Sequence, residues 1–259
     1  MKYWYQQPRP ELAAYVRTML VIEGFAESDS NTLPMLTNGM SALFCRTEKN
    51  SADHESILKL TLLGTAIPPG YWLLDTQTTI IAYFFKPFTL PSFFNIKAKS
   101  LKESEIDLRI LNPRQFNALK SLVNDRTSTS QKIEVLDNLL VTQLKQNAHN
   151  CELIQYATNQ IMNDSGLEVI PKIIQELKLN ERTFQRTFKK FVGITPTQYR
   201  RICQFQLSFG QLKSKKFDKL SDIAYENGFA DQSHFIRSFK EFTQITPKNY
   251  LQKGLSNKI

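Results

Sequence analysis

A pattern of nine residues occurs twice in this chain, 51 positions apart. Phe184, Arg186, Phe188, Lys189, Phe191, Ile194, Thr195, Pro196 and Tyr199 recur in register as Phe235, Arg237, Phe239, Lys240, Phe242, Ile245, Thr246, Pro247 and Tyr250. Nine identities within 16 aligned positions mark an internal duplication, so whatever this unit folds into must be built twice. At helical period Phe235, Phe239 and Phe242 share an apolar face, with Gln232, Ser233, Ile236, Arg237 and Lys240 opposite them. Asp231 is placed to cap that helix, and Thr246-Pro247 opens another with Pro in its first turn. Upstream, Leu220, Ile223 and Ala224 predict a short helix, and Gly228 falls where the chain must turn. The unit reads as a helix-turn-helix over about 219–242.

Its first copy reads the same way over about 169–191. Val169 to Leu177 predicts the leading helix, and Asn180 caps the second, with Glu181 in its positive first turn. Phe184, Phe188 and Phe191 point inward; Arg182, Gln185, Arg186 and Lys189 point outward. Thr195-Pro-Thr-Gln198 has the form of a capping box with Pro at the first helical position. The helix it opens is predicted over about 196–213 and would span roughly 28 Å at 1.5 Å per residue. Recognition elements on one face of DNA must stand about 34 Å apart to enter successive major grooves. A linker of that length, together with the packing offset of each unit, can hold two motifs at that separation.

The outward residues carry the chemistry that base reading needs. Arginine donates two parallel hydrogen bonds to guanine O6 and N7, and glutamine pairs in the same bidentate fashion with adenine. Arg186 with Gln185, and Arg237 with Gln232, provide one such set per helix, and Ile236 suits a thymine methyl. Lys189, Lys190 and Lys240 read better as phosphate contacts, which fix register and add salt dependence. Lys213-Ser-Lys-Lys216 is either a solvated loop or a further phosphate contact. Charge agrees with this placement. Residues 1–150 hold 16 Lys and Arg against 14 Asp and Glu, whereas residues 151–259 hold 17 against 10, within a net charge of +9.

The 259 residues allow two domains with sizeable cores, and 41% hydrophobic content argues against disorder. No apolar run reaches membrane-spanning length, and MKYWYQQPRPEL lacks the apolar centre of a signal peptide, so a cytoplasmic chain without membrane contact is expected. Cys45, Cys151 and Cys203 are odd in number and far apart, and read as small buried apolar residues. His54, His149 and His234 are not spaced with cysteines or carboxylates as a metal site requires. No phosphate-binding glycine loop or nucleophile elbow is present either. The chain is therefore expected to have no catalytic residues, no metal and no cofactor, and not to be an enzyme.

The first half has a different texture. Tyr3-Trp4-Tyr5 forms an aromatic cluster that either covers a cavity or closes a core edge, followed by a predicted helix from Glu11 to Met19. Short apolar runs then alternate with turns: Leu33-Pro34-Met35, Asn38-Gly39, Ser41–Cys45, Leu58–Leu63, Tyr71–Leu74 and Thr79–Phe85. Strands of four to seven residues at about ten-residue spacing point to a β-barrel or sandwich. A short helix is predicted around Leu90, Phe93 and Phe94, another from Pro113 through Phe116, Leu119 and Val123, and a third capped by Ser130. That third helix carries Ile133, Leu136, Leu140 and Leu144 on one stripe, suited to its own domain or to a dimer seam. The polar run Lys145–Asn150 is the best domain boundary.

Together, Leu220-x-Asp222-Ile-Ala224, Gly228-Phe229, Asp231-Gln-Ser-His-Phe235, Arg237-x-Phe239-Lys240 and Thr246-Pro247-x-x-Tyr250 closely resemble AraC/XylS-type transcription regulators. The resemblance covers about residues 151–252, and the first motif matches more loosely, at Arg186-x-Phe188 and Thr195-Pro196-x-x-Tyr199. It implies base-reading positions at Arg182, Gln185 and Arg186, and at Gln232, Ser233, Ile236 and Arg237. Gln244 departs from the family, which often has Gly there, and this bears on the turn before Thr246. The first half looks like the cupin-like effector domains joined to such regulators, which sense a small molecule, dimerise, or both. The expected fold is therefore α+β: a cupin-like β-barrel with flanking helices over 1–148, then an all-α domain of two helix-turn-helix motifs and a linker helix over 149–259. Its expected partners are double-stranded DNA and a small-molecule effector not legible in the sequence, with RNA polymerase added if the chain is an activator. A homodimer stays open. The alternative is a small-molecule sensor module whose DNA-binding part only reports occupancy.

Overall fold

The computed structural model describes residues 2–24, 32–35, 39–49, 56–65, 68–73, 78–101, 105–111, 113–123, 127–146 and 151–252. The first half is built on strands β1 (Lys2–Gln6), β2 (Val16–Glu23), β3 (Thr32–Met35), β4 (Ala42–Lys49), β5 (Ser56–Leu63), β6 (Gly70–Leu73), β7 (Thr78–Phe85) and β8 (Glu105–Asp107). Six of them make one antiparallel sheet in the order β1-β2-β7-β4-β5-β8, and β3 pairs with β6 separately. The barrel expectation is thus corrected in one respect: among the described residues the large sheet is open, ending at β1 and β8.

The helix expected from Glu11 to Met19 is not formed. Pro10–Leu12 makes one 3₁₀ turn, and Val16–Glu23 is a strand paired on both sides, with β1 and β7. Leu12, Val16 and Met19 have helical spacing, but the following run is rich in residues that favour strands, and two ladders outweigh a local period. Trp4 packs on the core while Tyr3 and Tyr5 face outward, so the aromatic cluster closes a core edge.

Both faces of the central strands are apolar. Met19, Val21, Leu43, Cys45, Ile81 and Tyr83 belong to one buried cluster, and their sequence neighbours Leu20, Ile22, Ala42, Phe44, Ile80 and Ala82 to another. Successive side chains of a strand point to opposite faces, so these runs read as continuously hydrophobic because both faces are covered. The first face is covered by helices α1 (Leu90–Phe94), α2 (Leu108–Leu111), α3 (Pro113–Leu122) and α4 (Thr129–Gln146), through Phe93, Leu108, Phe116 and Leu136. The stripe Ile133, Leu136, Leu140 and Leu144 is spent on this sheet. Two polar links cross the same interface. The Tyr83 hydroxyl donates to Asp137 Oδ1 at 2.8 Å, and Lys132 Nζ donates to Thr47 Oγ1 at 3.0 Å.

The second half is helical: α5 (Glu152–Asn163), α6 (Val169–Glu176), α7 (Glu181–Val192), α8 (Pro196–Ser214), α9 (Leu220–Glu226), α10 (Gln232–Thr243) and α11 (Pro247–Gln252). The expected border between 148 and 149 lies outside the described residues. One hydrophobic cluster runs through the helices from Ile154 to Tyr250 and takes in Phe88 from the first half.

Candidate nucleic-acid interface

The two helices expected to read DNA start and stop in register with the sequence repeat. α7 occupies 181–192 and α10 occupies 232–243, each shifted by the same 51 residues. Their caps are built alike. Asn180 Oδ1 accepts from the Thr183 N–H at 2.8 Å, and Asp231 Oδ1 accepts from the His234 N–H at 2.6 Å. Each satisfies one of the four donors that a helix N-terminus leaves without intrahelical partners. Both helices end in a left-handed residue, Gly193 at φ 90° and Gln244 at φ 64°. The departure at Gln244 therefore keeps the family's turn with a side chain on a position that favours glycine.

The phenylalanines set which face is presented. Phe184, Phe188, Phe235 and Phe239 are fully buried, and Phe188 meets Tyr199 at 5.7 Å just as Phe239 meets Tyr250 at 6.0 Å. Burying a side chain of this size stabilises by about 1.5–3 kcal/mol, so each helix is held by this one face. The opposite faces follow by geometry. Arg182, Gln185 and Arg186 on α7 are exposed, with Lys189 half-buried beside them. On α10, Gln232, Ser233, Arg237 and Lys240 are exposed and Ile236 is half-buried. The structure thus brings every expected residue of each set onto one face of its helix. Gln185 Nε2 donates to Glu181 Oε1 at 2.8 Å, whereas none of the three arginines is ion-paired among the described residues. His234 packs edge-on against Phe229 at 5.4 Å. His54 and His149 lie outside the described residues. Among the described residues, no group of His, Cys, Asp or Glu is arranged to hold a metal ion, and no helix is long and apolar enough to cross a membrane.

α8 joins the motifs much as expected. Its capping box is complete: the Gln198 N–H donates to Thr195 Oγ1 at 3.2 Å, and the Thr195 N–H donates to Gln198 Oε1 at 3.1 Å. The lysine run sits at its far end, with Lys215 in the left-handed region at φ 55°. Several residues that sequence reading did not single out fix α8 against the second motif. Gln204 Nε2 donates to the Asn227 carbonyl at 2.9 Å, and Asn227 Nδ2 donates to Gln211 Oε1 at 2.7 Å. Arg201 and Glu241 add a surface ion pair at 2.7 Å. The signal for these was a polar residue at every third or fourth position of α8, which marks a helix face but not its partner.

The first motif is fixed differently, by the first half of the chain. The Thr65 hydroxyl donates to the Val192 carbonyl at 3.0 Å, and a 3₁₀ turn at Ala98–Leu101 packs against the end of α7. A Cβ on Gly193 would stand 2.7 Å from the Ala98 carbonyl oxygen, so the close approach as well as the positive φ requires glycine.

A duplicated, N-capped helix-turn-helix with two basic outward faces, attached to a sheet domain, defines a DNA-binding transcription regulator. Residues 173–253 match the family described as a helix-turn-helix domain, and residues 5–107 match a domain of unknown function, DUF6597. The helix-turn-helix region is similar to that of AraC/XylS-type transcription regulators, as its motifs imply. It is 22% identical over 226 residues to the HTH-type transcriptional activator RhaS of Enterobacter sp. (strain 638), covering 86% of this chain and 80% of that protein. An uncharacterized HTH-type transcriptional regulator of Haemophilus influenzae is 21% identical over 51% of this chain, which spans about half (49%) of that relative. Among solved structures, ToxT from Vibrio cholerae superposes with a TM-score of 0.46 at 15% identity, covering 97% of this chain and 98% of that one.

Proposed function

We propose that this regulator reads sequence in two successive major grooves, one recognition helix in each. The observation that carries the reading is the register of the duplication: α7 and α10 begin, end and expose an arginine at equivalent positions, Arg186 and Arg237. Arg182, Gln185, Arg186, Gln232, Ser233, Ile236 and Arg237 act at base edges, and Lys189 and Lys240 at phosphates. The division of labour falls near 148/149, with residues 1–148 modulating and 149–259 binding DNA. Modulation comes from a small molecule or from dimerisation, and two motifs per chain already allow binding as a monomer. The chain works in the cytoplasm. RhaS carries the name of an activator, and activation through RNA polymerase is our reading here as well.

The test is selection of duplexes from a random pool by the full-length protein, followed by footprinting at fixed salt. Two protected segments on one face, about one helical turn apart, are expected. Arg186→Ala should weaken selection in one segment and Arg237→Ala in the other. A single protected segment, or unchanged selection in both variants, overturns the reading.

A further inference from the structure

We infer that Lys178, in the turn of the first motif, binds a DNA phosphate and ties that motif to the backbone at the edge of its groove. The inference rests on the groove-reading proposal and adds a contact that belongs to neither recognition face.

The leading helices of the two motifs end in the same way. In α6 the Lys178 N–H donates to the Gln175 carbonyl at 3.1 Å, and the Leu179 N–H to the Ile174 carbonyl at 3.2 Å. In α9 the Gly228 N–H donates to the Tyr225 carbonyl at 3.1 Å, and the Phe229 N–H to the Ala224 carbonyl at 2.9 Å. Such paired bonds close a helix on a left-handed residue, usually glycine because a Cβ is disfavoured there. The second motif follows that preference with Gly228 at φ 70°, whereas the first places Lys178 at φ 52°. The repeat also loses its spacing at this point. Gly228 stands three residues before its cap Asp231, and Lys178 stands two before Asn180.

The fold itself does not call for this side chain. Lys178 is exposed, and among the described residues its ammonium makes no ion pair. The apolar contact that accompanies such an ending comes from its neighbour Leu179, which packs on the helical core. Strained backbone of this kind persists only where the surroundings hold it, and it concentrates at functional sites. What lysine offers here and glycine does not is a cation on a flexible stem, suited to a phosphate as a point charge. The position agrees. In a docked helix-turn-helix the first helix crosses the DNA backbone, while the N-terminal residues of the second reach base edges. Lys178 lies between the two, four residues before the expected base reader Arg182.

Three variants of the full-length protein test this. Lys178→Gly removes charge and strain, Lys178→Gln removes the charge alone, and Lys178→Arg keeps both. Affinity for the selected duplex and for a scrambled one is measured at several salt concentrations, and unfolding by denaturant is followed without DNA. The Gly and Gln variants should lose about fivefold in affinity for both duplexes alike, with the slope of log affinity against log salt shallower by about 0.9. The Arg variant should keep the slope. In the footprint the weakening should fall at the segment that Arg186→Ala affects. Lys178→Gly should also unfold at a higher denaturant concentration, so that stability rises while binding falls, which a structural role for the lysine would not produce. Unchanged slopes in the Gly and Gln variants overturn the inference. So does a loss confined to the selected duplex, which marks a base contact. A lower unfolding midpoint in Lys178→Gln with DNA binding intact overturns it too, by assigning the charge to the negative end of α6. A wild-type footprint without two segments overturns the groove reading and this inference with it; two intact segments with unchanged slopes overturn this inference alone.

Discussion

Arg237 and Lys189 stand on equivalent faces of two copies of one helix, yet they are expected to fail differently when truncated. Loss of a bidentate contact removes about 1–3 kcal/mol of discrimination at one base pair, so Arg237→Ala should relax preference there. Lys189→Ala should instead weaken all sequences alike and make the dependence of log affinity on log salt shallower. Titrations of the selected site and a scrambled one at several salt concentrations separate the two. Gln244 offers a stability test. It holds φ 64° while its N–H donates to the Lys240 carbonyl at 2.8 Å, a conformation that costs a side chain about 1–2 kcal/mol. Gln244→Gly should raise stability by roughly 1 kcal/mol in denaturant unfolding, less any added freedom of the unfolded chain. Asp137 offers a pH test. Burial raises its pKa, outweighing the lowering by the Tyr83 hydrogen bond. A carboxyl with a raised folded pKa contributes stability below its unfolded pKa and loses it as pH rises through the folded one. Asp137→Asn, whose carbonyl still accepts from Tyr83, should therefore stabilise at pH 7.5 more than at pH 4, read as thermal midpoints.

At the scale of elements, local chemistry was legible wherever the partner was also local. The caps at Asn180, Asp231 and Thr195 were foreseen because a side chain and the backbone donor it meets lie three residues apart. The strand Val16–Glu23 was misread because its pairing partners, β1 and β7, lie outside any local window. The open edge of the large sheet was hidden for the same reason, since strand spacing counts strands without ordering them. The candidate base-reading faces were legible because the buried phenylalanines define them by subtraction. α8 is the element where a single change is informative. Gly210 sits in its C-terminal third with nothing within 4 Å of where a Cβ would stand. Gly210→Ala should stabilise the protein by about 0.5–1 kcal/mol in denaturant unfolding, with unchanged spacing of the two protected segments in the footprint.

At the scale of the whole molecule, what the sequence did not disclose is how its halves touch. Phe88, Thr65 and Arg17 give no local sign that they meet α7 and α8, because such contacts depend on the finished shape of both parts. The Thr65 bond is testable as a link between the halves. Thr65→Val leaves the Val192 carbonyl without its buried donor, and a loss of about 1–3 kcal/mol in unfolding free energy is expected. An unchanged unfolding midpoint would show that the halves do not rely on it.

The contrast between Gly193 and Gln244 also bears on the history of the repeat. Both close the same kind of helix at the same point, and at the first a Cβ would run into a backbone carbonyl, that of Ala98. The two copies have therefore ceased to be interchangeable parts. A chimera carrying 181–199 in place of 232–250 inherits a glycine that its new surroundings tolerate. The reciprocal graft puts glutamine at position 193, where its Cβ would stand 2.7 Å from an oxygen, and forces the first motif away from the sheet domain. The helical half repeats in sequence, yet position 193 has no room for a side chain because the sheet domain packs against it, so the two copies are held to different steric limits.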